Sequence, residues 1–197
     1  VEFRHSISGY GLYGSFVSSV FQSVTCRTAG FNTVDFTHLG QPVLIFMMFL
    51  MFVGASPGST GGGIKTTTFS VIIRSAISTI KGRKNVEIVK RTISSDTIHK
   101  AYSIAMFSIS LIFISTFVLT ITEPDKNFIN LLFEEISAFG TVGLSTGITS
   151  SLSYAGKVII ILTMYIGRIG TLTLALALTK RIVYTKYRYS EINVLVG

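Results

Sequence analysis

Two short turns carry residue types suited to binding a dehydrated cation, and both follow the pattern Thr-x-Gly. They are Thr28-Ala29-Gly30 and Thr141-Val142-Gly143. Glycine adopts backbone angles that other residues avoid, which allows successive carbonyl oxygens to face one axis. Carbonyl oxygens stacked in this way replace the hydration shell of the ion in potassium-channel loops of sequence TVGYG. The two turns therefore predict cation-binding loops built from backbone oxygens.

Each turn belongs to an internal repeat. A short apolar segment precedes it, at residues 14–25 and 128–139, and each is about twelve residues long. Such segments are too short to cross a bilayer, so we expect re-entrant or interfacial helices. Their C-terminal carbonyls, the negative ends of the helix dipoles, would point at the ion.

The repeat continues beyond the turns. A second glycine follows each turn glycine after twenty-four residues, at Gly54 and at Gly167. Neither copy has the second glycine of TVGYG, because Phe31-Asn32 and Leu144-Ser145 stand there instead. We name residues 28–32 the first filter loop and residues 141–145 the second filter loop.

Long apolar segments predict an integral membrane protein. The chain is 48% hydrophobic and 13% charged, whereas soluble domains carry roughly 25% charged residues. Residues 102–121 are twenty residues without a charge, and residues 158–178 contain one charge, Arg168. Both segments are long enough to cross a bilayer as helices.

A third apolar segment is interrupted. It runs from residue 43 to 55, is followed by a stretch with one proline and four glycines, and resumes over residues 64–80. Proline and glycine disfavour a continuous helix. Irregular backbone at membrane depth persists only where protein or a water-filled cavity satisfies it. The pattern favours a broken helix beside a pathway, and the alternative is a soluble loop between two membrane-surface helices.

Charged residues are distributed unevenly between the apolar segments. Residues 74–100 contain seven basic and two acidic residues, and residues 180–197 contain four and one. Residues 123–135 contain four acidic residues and one lysine. The positive-inside rule then predicts the first two regions to be cytoplasmic and the third external. The alternative is that these are solvated loops whose charges have no topological meaning.

Other functional classes fit the residues poorly. A single cysteine, Cys26, forms no internal disulfide or cysteine metal cluster, and His5, His38 and His99 lack partner ligands at coordinating spacing. Basic stripes interleaved with aromatic residues are not visible, so no nucleic acid partner is expected despite the net charge of +8. Residues 58–66 approach a phosphate-binding loop, but Ile64 displaces the lysine by one position. The sequence predicts no catalytic residues and no enzyme.

The two filter loops and the glycine-rich segment resemble the Trk/Ktr/HKT superfamily of potassium transporters, most closely the membrane subunit of the bacterial Ktr system. The resemblance implies an all-α integral membrane fold, in which four helix–pore loop–helix repeats form a pseudo-fourfold, potassium-channel-like pore. Residues 1–95 would then end the third repeat, and residues 96–197 would form the fourth. Since the chain lacks a start methionine, we expect it to be a processed or incomplete piece of something longer. The other repeats would lie elsewhere in a longer polypeptide, and the alternative is that the chain pairs with other pieces.

The resemblance also assigns an intramembrane gate to the broken helix. Carried over to this sequence, the gate comprises Gly58, Ser59, Thr60, Gly61, Gly62, Gly63 and Lys65. Arg168, in the middle of its predicted span, is costly at that depth and should face the interior. We expect its guanidinium to bond the loop and hold the gate shut. The alternative is a structural arginine paired with an acid of another repeat.

Ions and partners follow from the same resemblance. Potassium would be the transported ion, bound at the filter loops, with sodium as a candidate activator and no organic cofactor. The protein would be a homodimer in a bacterial plasma membrane, multi-pass, with a cytoplasmic C-terminus. A cytoplasmic ring of nucleotide-binding subunits would contact residues 81–91 and 180–197, and residues 192–197 could pack at the dimer interface. The alternative is the potassium-binding subunit of an ATP-driven pump.

Overall fold

This computed structural model describes residues 11–33, 36, 39–83, 85–88 and 91–170, and helices form most of these residues. The helices are α1 (Gly11–Thr25), α2 (Gln41–Phe52), α3 (Thr66–Ile80), α4 (Ser95–Thr122), α5 (Phe128–Gly140) and α6 (Tyr154–Ile169). Two-residue strands, β1 (Glu87–Ile88) and β2 (Arg91–Thr92), pair antiparallel between α3 and α4. The predicted helical fold is confirmed in its main features, and the strand pair is a small feature that the all-α prediction missed.

The two short helices that precede the filter loops are present. α1 has 15 residues and α5 has 13. α5 begins after Asn127, whose side chain accepts a hydrogen bond of 2.9 Å from the backbone N–H of Ile129. It ends at Thr141, which takes a left-handed conformation with φ of 51°. Neither helix is long enough to cross a bilayer, as the segment lengths predicted.

The third apolar segment is broken, as predicted. α2 ends at Phe52, and α3 begins at Thr66. Between them, Val53 and Ile64 form an isolated parallel bridge, and the Gly54 N–H donates to the Ile64 carbonyl at 2.9 Å. The chain therefore leaves the helix, forms the glycine-rich loop (residues 56–63), and returns beside its point of departure.

α4 is the only helix in the described ranges that is both long and apolar enough to cross a membrane by itself. It has 28 residues and begins seven residues before the predicted span, after Ser94, whose hydroxyl accepts from the Thr97 N–H. Large apolar side chains on its surface, such as Met106 and Phe113, are more than 70% exposed. This exposure suits a helix that faces lipid.

α6 ends earlier than the apolar pattern predicted. The uncharged residues continue to residue 178, but the helix stops at Ile169. Gly170 has φ of 95°, a conformation that favours glycine, and its N–H bonds the Ile166 carbonyl at 3.0 Å. Arg168 therefore lies in the last turn of α6, and the part of its predicted span beyond Gly170 lies outside the described residues. Residues 171–197, with the predicted tail contacts, lie outside the described residues, as do His5 and His38.

α5 is the central helix, in contact with α2, α4 and α6. Its Phe133 is fully buried and packs on Phe36, with ring centroids 6.0 Å apart. On the opposite side, α6 approaches so closely that a side chain at Gly167 would overlap the Phe139 carbonyl oxygen. The short helix is thus packed among α2, α4 and α6, which fixes where its C-terminus and the second filter loop lie.

Candidate ion-binding site

The two filter loops share an unusual backbone conformation. In the first loop, Thr28 has φ of 69° and Gly30 has φ of 73°. In the second, Thr141 has φ of 51° and Gly143 has φ of 89°. Positive φ is uncommon for threonine, and among the described residues only these two non-glycine residues adopt it. The same alternation in both copies confirms that the sequence repeat is also a repeat of backbone geometry.

The two loops meet at their glycines. A methyl group at Gly30 would lie 2.5 Å from the carbonyl oxygen of Val142 and 3.7 Å from the Cα of Gly143. A methyl group at Gly143 would in turn lie 3.7 Å from the Cα of Gly30. Glycine is therefore required at Gly30 by close approach as well as by conformation. Residues 113 positions apart in the sequence thus place their backbones side by side.

The helices that precede the loops direct carbonyl groups toward them. At the end of α5, the Ser137 carbonyl accepts from the Val142 N–H at 2.9 Å. At the end of α1, the Thr25 carbonyl accepts from the Ala29 N–H at 3.2 Å. No basic residue lies in the last turn of α5, so the negative end of its dipole is not neutralised by its own helix. This arrangement favours a cation beside the second loop.

Side chains of the second loop alternate between core and surface. Val142 and Leu144 are buried with Cys26 and Met51 in one hydrophobic cluster, whereas Gly143 is exposed. In the first loop, Thr28 and Gly30 are half-buried, while Ala29, Phe31 and Asn32 are exposed. The core anchors the second loop through its apolar side chains and leaves the glycine backbone open to solvent or ion.

The glycine-rich loop contacts the threonines of both filter loops. The Gly62 N–H donates a hydrogen bond of 2.9 Å to Oγ1 of Thr141. A methyl group at Gly61 would lie 3.0 Å from Cγ2 of Thr28. Consecutive glycines thus bring this loop against both threonines, which leaves no room there for larger residues.

Lys65 holds the glycine-rich loop through its ammonium group. Its Nζ donates to the carbonyl oxygens of Ser59, at 3.0 Å, and Gly61, at 2.8 Å. Both carbonyls belong to the loop that precedes α3, so the lysine closes it into a ring. Lys65 was one of the predicted loop residues, but the sequence did not show that it bonds the loop itself.

Arg168 lies apart from these contacts. Its side chain is exposed at the end of α6, and within the described part of the chain it donates no hydrogen bond to the glycine-rich loop. Its neighbour Gly167 packs on the Phe139 carbonyl of α5. The expected contact between Arg168 and the loop is therefore not formed in this structure, where Lys65 makes the bonds to the loop carbonyls.

Sequence reasoning missed the polar residues of the short helices that form hydrogen bonds to the filter loops. The Thr25 hydroxyl donates to the Phe31 carbonyl, and Gln22 bonds the Thr33 hydroxyl. Glu134 accepts bonds from the residues that follow Gly143. Alignment of the two repeats places Gln22 and Glu134 at matching positions, each directly after a phenylalanine, and that match was the signal available.

A second carboxyl group, Glu135, joins three helices. It is fully buried, and its Oε1 accepts hydrogen bonds from Ser115 of α4 and from Thr163 of α6, the latter at 2.7 Å. Burying a carboxyl group is costly unless hydrogen bonds compensate for lost hydration. Glu135 therefore contributes to the packing of α4, α5 and α6.

A family model and two curated proteins match nearly the whole of this chain. The family model TrkH, described as a cation transport protein, matches residues 3–187. Ktr system potassium uptake protein D of Bacillus subtilis (strain 168) is 40% identical over 197 residues, which cover 100% of this chain and 44% of that protein. Ktr system potassium uptake protein B of Vibrio alginolyticus is 44% identical over 184 residues, which cover 93% of this chain and 40% of that protein.

The fold also matches a solved structure. The potassium transporter TrkH from Vibrio parahaemolyticus aligns with a TM-score of 0.73 and 20% identity, covering 85% of this chain and 38% of that one. This chain spans less than half the length of each of these relatives. Because the family model and both Ktr proteins align along nearly all of it, the chain belongs to the TrkH family of cation transport proteins.

Proposed function

We propose that this chain supplies two of the four parts of a pore through which a membrane protein takes up potassium ions. The observation that carries the proposal is the contact between the two filter loops, where Gly30 lies against the backbone of Val142 and Gly143. Two loops that meet through glycine backbone, each at the end of a short helix, have the construction that a cation filter requires. The names of the related proteins supply the ion, potassium.

The filter in this proposal is built from backbone oxygens. Positive φ at alternate residues turns successive carbonyls away from the regular helical direction, and the helix dipole of α5 favours positive charge at its C-terminus. Potassium would bind at residues of both loops, and these are Thr28, Ala29, Gly30, Phe31, Asn32, Thr141, Val142, Gly143, Leu144 and Ser145.

The glycine-rich loop acts as the gate of this pore. It contacts both filter threonines, so an ion that leaves the filter on that side meets the loop. Glycine backbone rearranges at low cost, which suits a barrier that must move. The gate residues are Gly58, Ser59, Thr60, Gly61, Gly62, Gly63 and Lys65, with Arg168 as a further charge beside the path.

The rest of the pore comes from outside this chain. Residues 1–95 end the third repeat and residues 96–197 form the fourth, so two repeats must be supplied by the remainder of a longer polypeptide. The 40–44% coverage of the relatives supports this division. The protein is multi-pass in a bacterial plasma membrane with a cytoplasmic C-terminus, since its basic segments fit the positive-inside rule.

Regulation in this proposal comes from the cytoplasmic side. The protein is a homodimer that sits on a ring of nucleotide-binding subunits, with sodium as an activator. Lys81 and Arg83 are exposed after α3, where they are available to such a partner. The alternative, a potassium-binding subunit of an ATP-driven pump, is less favoured because the aligned relatives are named as uptake proteins. Purification with a nucleotide-binding ring, as opposed to an ATPase subunit, separates the two.

Serine substitution at the filter glycines tests the proposed function. The intact protein is expressed in bacteria that lack their own potassium uptake, and potassium and sodium uptake are measured for Gly30→Ser and Gly143→Ser. We expect both variants to lose discrimination between the two ions, because serine disfavours positive φ and clashes at Gly30.

Gly82→Ser is the matched control. Gly82 also has positive φ, at 63°, but a side chain there meets nothing within 4 Å. This variant should discriminate potassium from sodium as the unmodified protein does. Unchanged discrimination in both filter variants, at normal membrane abundance, contradicts the filter assignment.

A further inference from the structure

Glu134 binds the segment that follows the second filter glycine. Its side chain is 5% exposed, and its carboxyl group bonds three groups of that segment. Oε1 accepts from the Ser145 hydroxyl and, at 3.0 Å, from the Thr146 N–H, while Oε2 accepts from the Thr149 hydroxyl at 2.7 Å. One buried side chain of α5 thus connects the segment after Gly143 to the helix that precedes the loop.

Gln22 holds the equivalent position in the first repeat. Its Nε2 donates to the Thr33 hydroxyl at 3.1 Å. Thr33 and Thr146 each lie three residues beyond a filter glycine, so the two helices reach the same point of their loops. In both repeats, therefore, a side chain of the short helix contacts the residue three positions after the filter glycine. The contacting group is a neutral amide in the first repeat and a carboxyl group in the second.

The loop exit depends on these contacts because it lacks regular structure. Residues 142–146 form no helix or strand, so no ladder of backbone hydrogen bonds fixes their direction. Buried hydrogen bonds to a carboxylate are stronger than those between neutral groups. The direction of the backbone at Leu144 and Ser145 therefore depends on Glu134.

The carboxyl group also changes the charge beside the second loop. Coulomb interactions are screened less inside a protein than in water, so a buried negative charge acts over several residues. A carboxylate bonded to Ser145 favours a cation on this side of the filter, whereas the amide of Gln22 contributes no charge to the other side. The two halves of the filter described here are thus unequal.

We propose that Glu134 is a positioning residue that sets ion discrimination by holding the exit of the second filter loop, with Gln22 as its weaker counterpart. This inference rests on the proposed potassium pathway. Glu134 acts through Ser145 and Thr146 and does not itself bind the ion. Its loss should alter the ratio of potassium to sodium uptake more than the amount of protein in the membrane.

Substitutions at Glu134 in the intact protein test the inference. Glu134→Ala removes all three bonds and should reduce the ratio of potassium to sodium uptake at least tenfold. Glu134→Gln keeps an acceptor for the Thr146 N–H but loses the charge, so it should lie between Glu134→Ala and the unmodified protein. In Glu134→Gln, the KM for potassium should rise more than the maximal rate falls. The double variant Gln22→Glu/Glu134→Gln places a carboxyl group beside the first filter loop in exchange for the one lost beside the second. It should partly restore the KM for potassium.

Glu123→Gln is the matched control. Glu123 is also buried, and its Oε1 accepts from the Ser153 N–H at 2.7 Å, but it joins α4 to the start of α6. Its variant should discriminate as the unmodified protein does. An unchanged uptake ratio in both Glu134 variants overturns the inference, as does an equal loss in Glu123→Gln. If Glu134→Ala is absent from the membrane, Glu134→Gln alone decides.

The same measurements separate this inference from the function on which it rests. When Gly143→Ser loses discrimination and the Glu134 variants do not, the role of Glu134 is rejected and the filter stands. When the unmodified protein moves no potassium, both are rejected.

Discussion

The backbone N–H of Gly62 donates a hydrogen bond of 2.9 Å to Oγ1 of Thr141. These residues are 79 positions apart, one in the loop that breaks the α2–α3 helix and the other at the start of the second filter loop. The Thr141 hydroxyl thus already accepts a hydrogen bond from the glycine-rich loop. Movement of the loop away from the filter must break this bond and release the hydroxyl.

Gly62→Ala is expected to weaken the closed gate. A methyl group at this position would lie 2.9 Å from the Phe139 carbonyl oxygen and from the Thr141 side chain. Phe139 lies at the end of α5 and Thr141 caps it, and this helix is packed among three others. We therefore expect the glycine-rich loop, and not the helix, to shift away from the added methyl group. We expect higher basal potassium flux, measured by ion uptake into vesicles that contain the intact protein without regulatory subunits.

Gly58→Ala is the control for this variant. Gly58 has φ of 81°, but a side chain there meets nothing within 4 Å. Alanine at this position costs about 1–2 kcal/mol for its left-handed conformation and creates no clash with the filter. Equal basal flux in the two variants would show that the contact with the filter does not matter.

Lys65→Met should also raise basal flux. The substitution removes two charged hydrogen bonds, to the Ser59 and Gly61 carbonyls, while it keeps most of the side-chain length. Bonds to charged groups contribute about 1.5–3 kcal/mol each. Loss of one of them is enough to shift the equilibrium between closed and open loops by roughly tenfold. Lys65→Arg retains a donor and should stay nearer to the unmodified protein, and a flux unaffected by Lys65→Met would exclude this role.

Arg168→Gln is expected to raise flux by a different route. Arg168 is exposed at the end of α6 and does not bond the loop among the described residues. Its positive charge repels cations, so removal of the charge should lower the barrier to ion passage. Arg168→Lys keeps the charge and should conduct as the unmodified protein does. Identical flux through the Gln and Lys variants would leave Arg168 with a structural role only.

Thr163→Val should destabilise the protein without altering ion discrimination. The Thr163 hydroxyl, which is buried, donates to Oε1 of Glu135 at 2.7 Å. Valine has nearly the same shape but leaves the buried carboxyl group with one donor fewer, at a cost of about 1–3 kcal/mol. Thermal unfolding of the detergent-solubilised protein measures this effect as a lower Tm.

Thr120→Val provides the matched comparison for Thr163→Val. The Thr120 hydroxyl bonds the Phe117 carbonyl within its own helix, α4. Removal of the Thr120 hydroxyl leaves no buried carboxyl group without a donor, so the Tm should change little. A Tm lowered equally by both substitutions would mean that Glu135 does not depend on Thr163.

Local signals in the sequence located most of the helices but not all of their ends, and not the contacts between them. The extent of α5 was predicted to within one residue, because its apolar segment ends directly before the Thr-x-Gly turn. The end of α6 was missed because its apolar residues continue past Gly170. A run of apolar residues shows that a segment can lie in a membrane, but it does not show where a helix ends. Here α6 ends before Gly170, which has positive φ.

Long-range contacts were beyond the sequence for a different reason. The meeting of Gly30 and Gly143 was expected from the repeat, which predicts convergence on one axis. The hydrogen bond from Gly62 to Thr141 was not expected, because neither residue type nor spacing indicates which hydroxyl accepts from a backbone N–H of a loop. Glu134 was missed because its partners become visible only when the loop folds back on its own helix.

The position of Gly30 against the Val142 carbonyl has a consequence for how such a protein is made. Residues 28–32 leave the ribosome more than a hundred residues before their neighbours 141–145. Until α5 has been inserted, the earlier turn lacks the Val142 backbone that Gly30 contacts. Under the proposed function, a chain that stops before residue 141 therefore lacks half of the filter described here, and we expect it not to conduct.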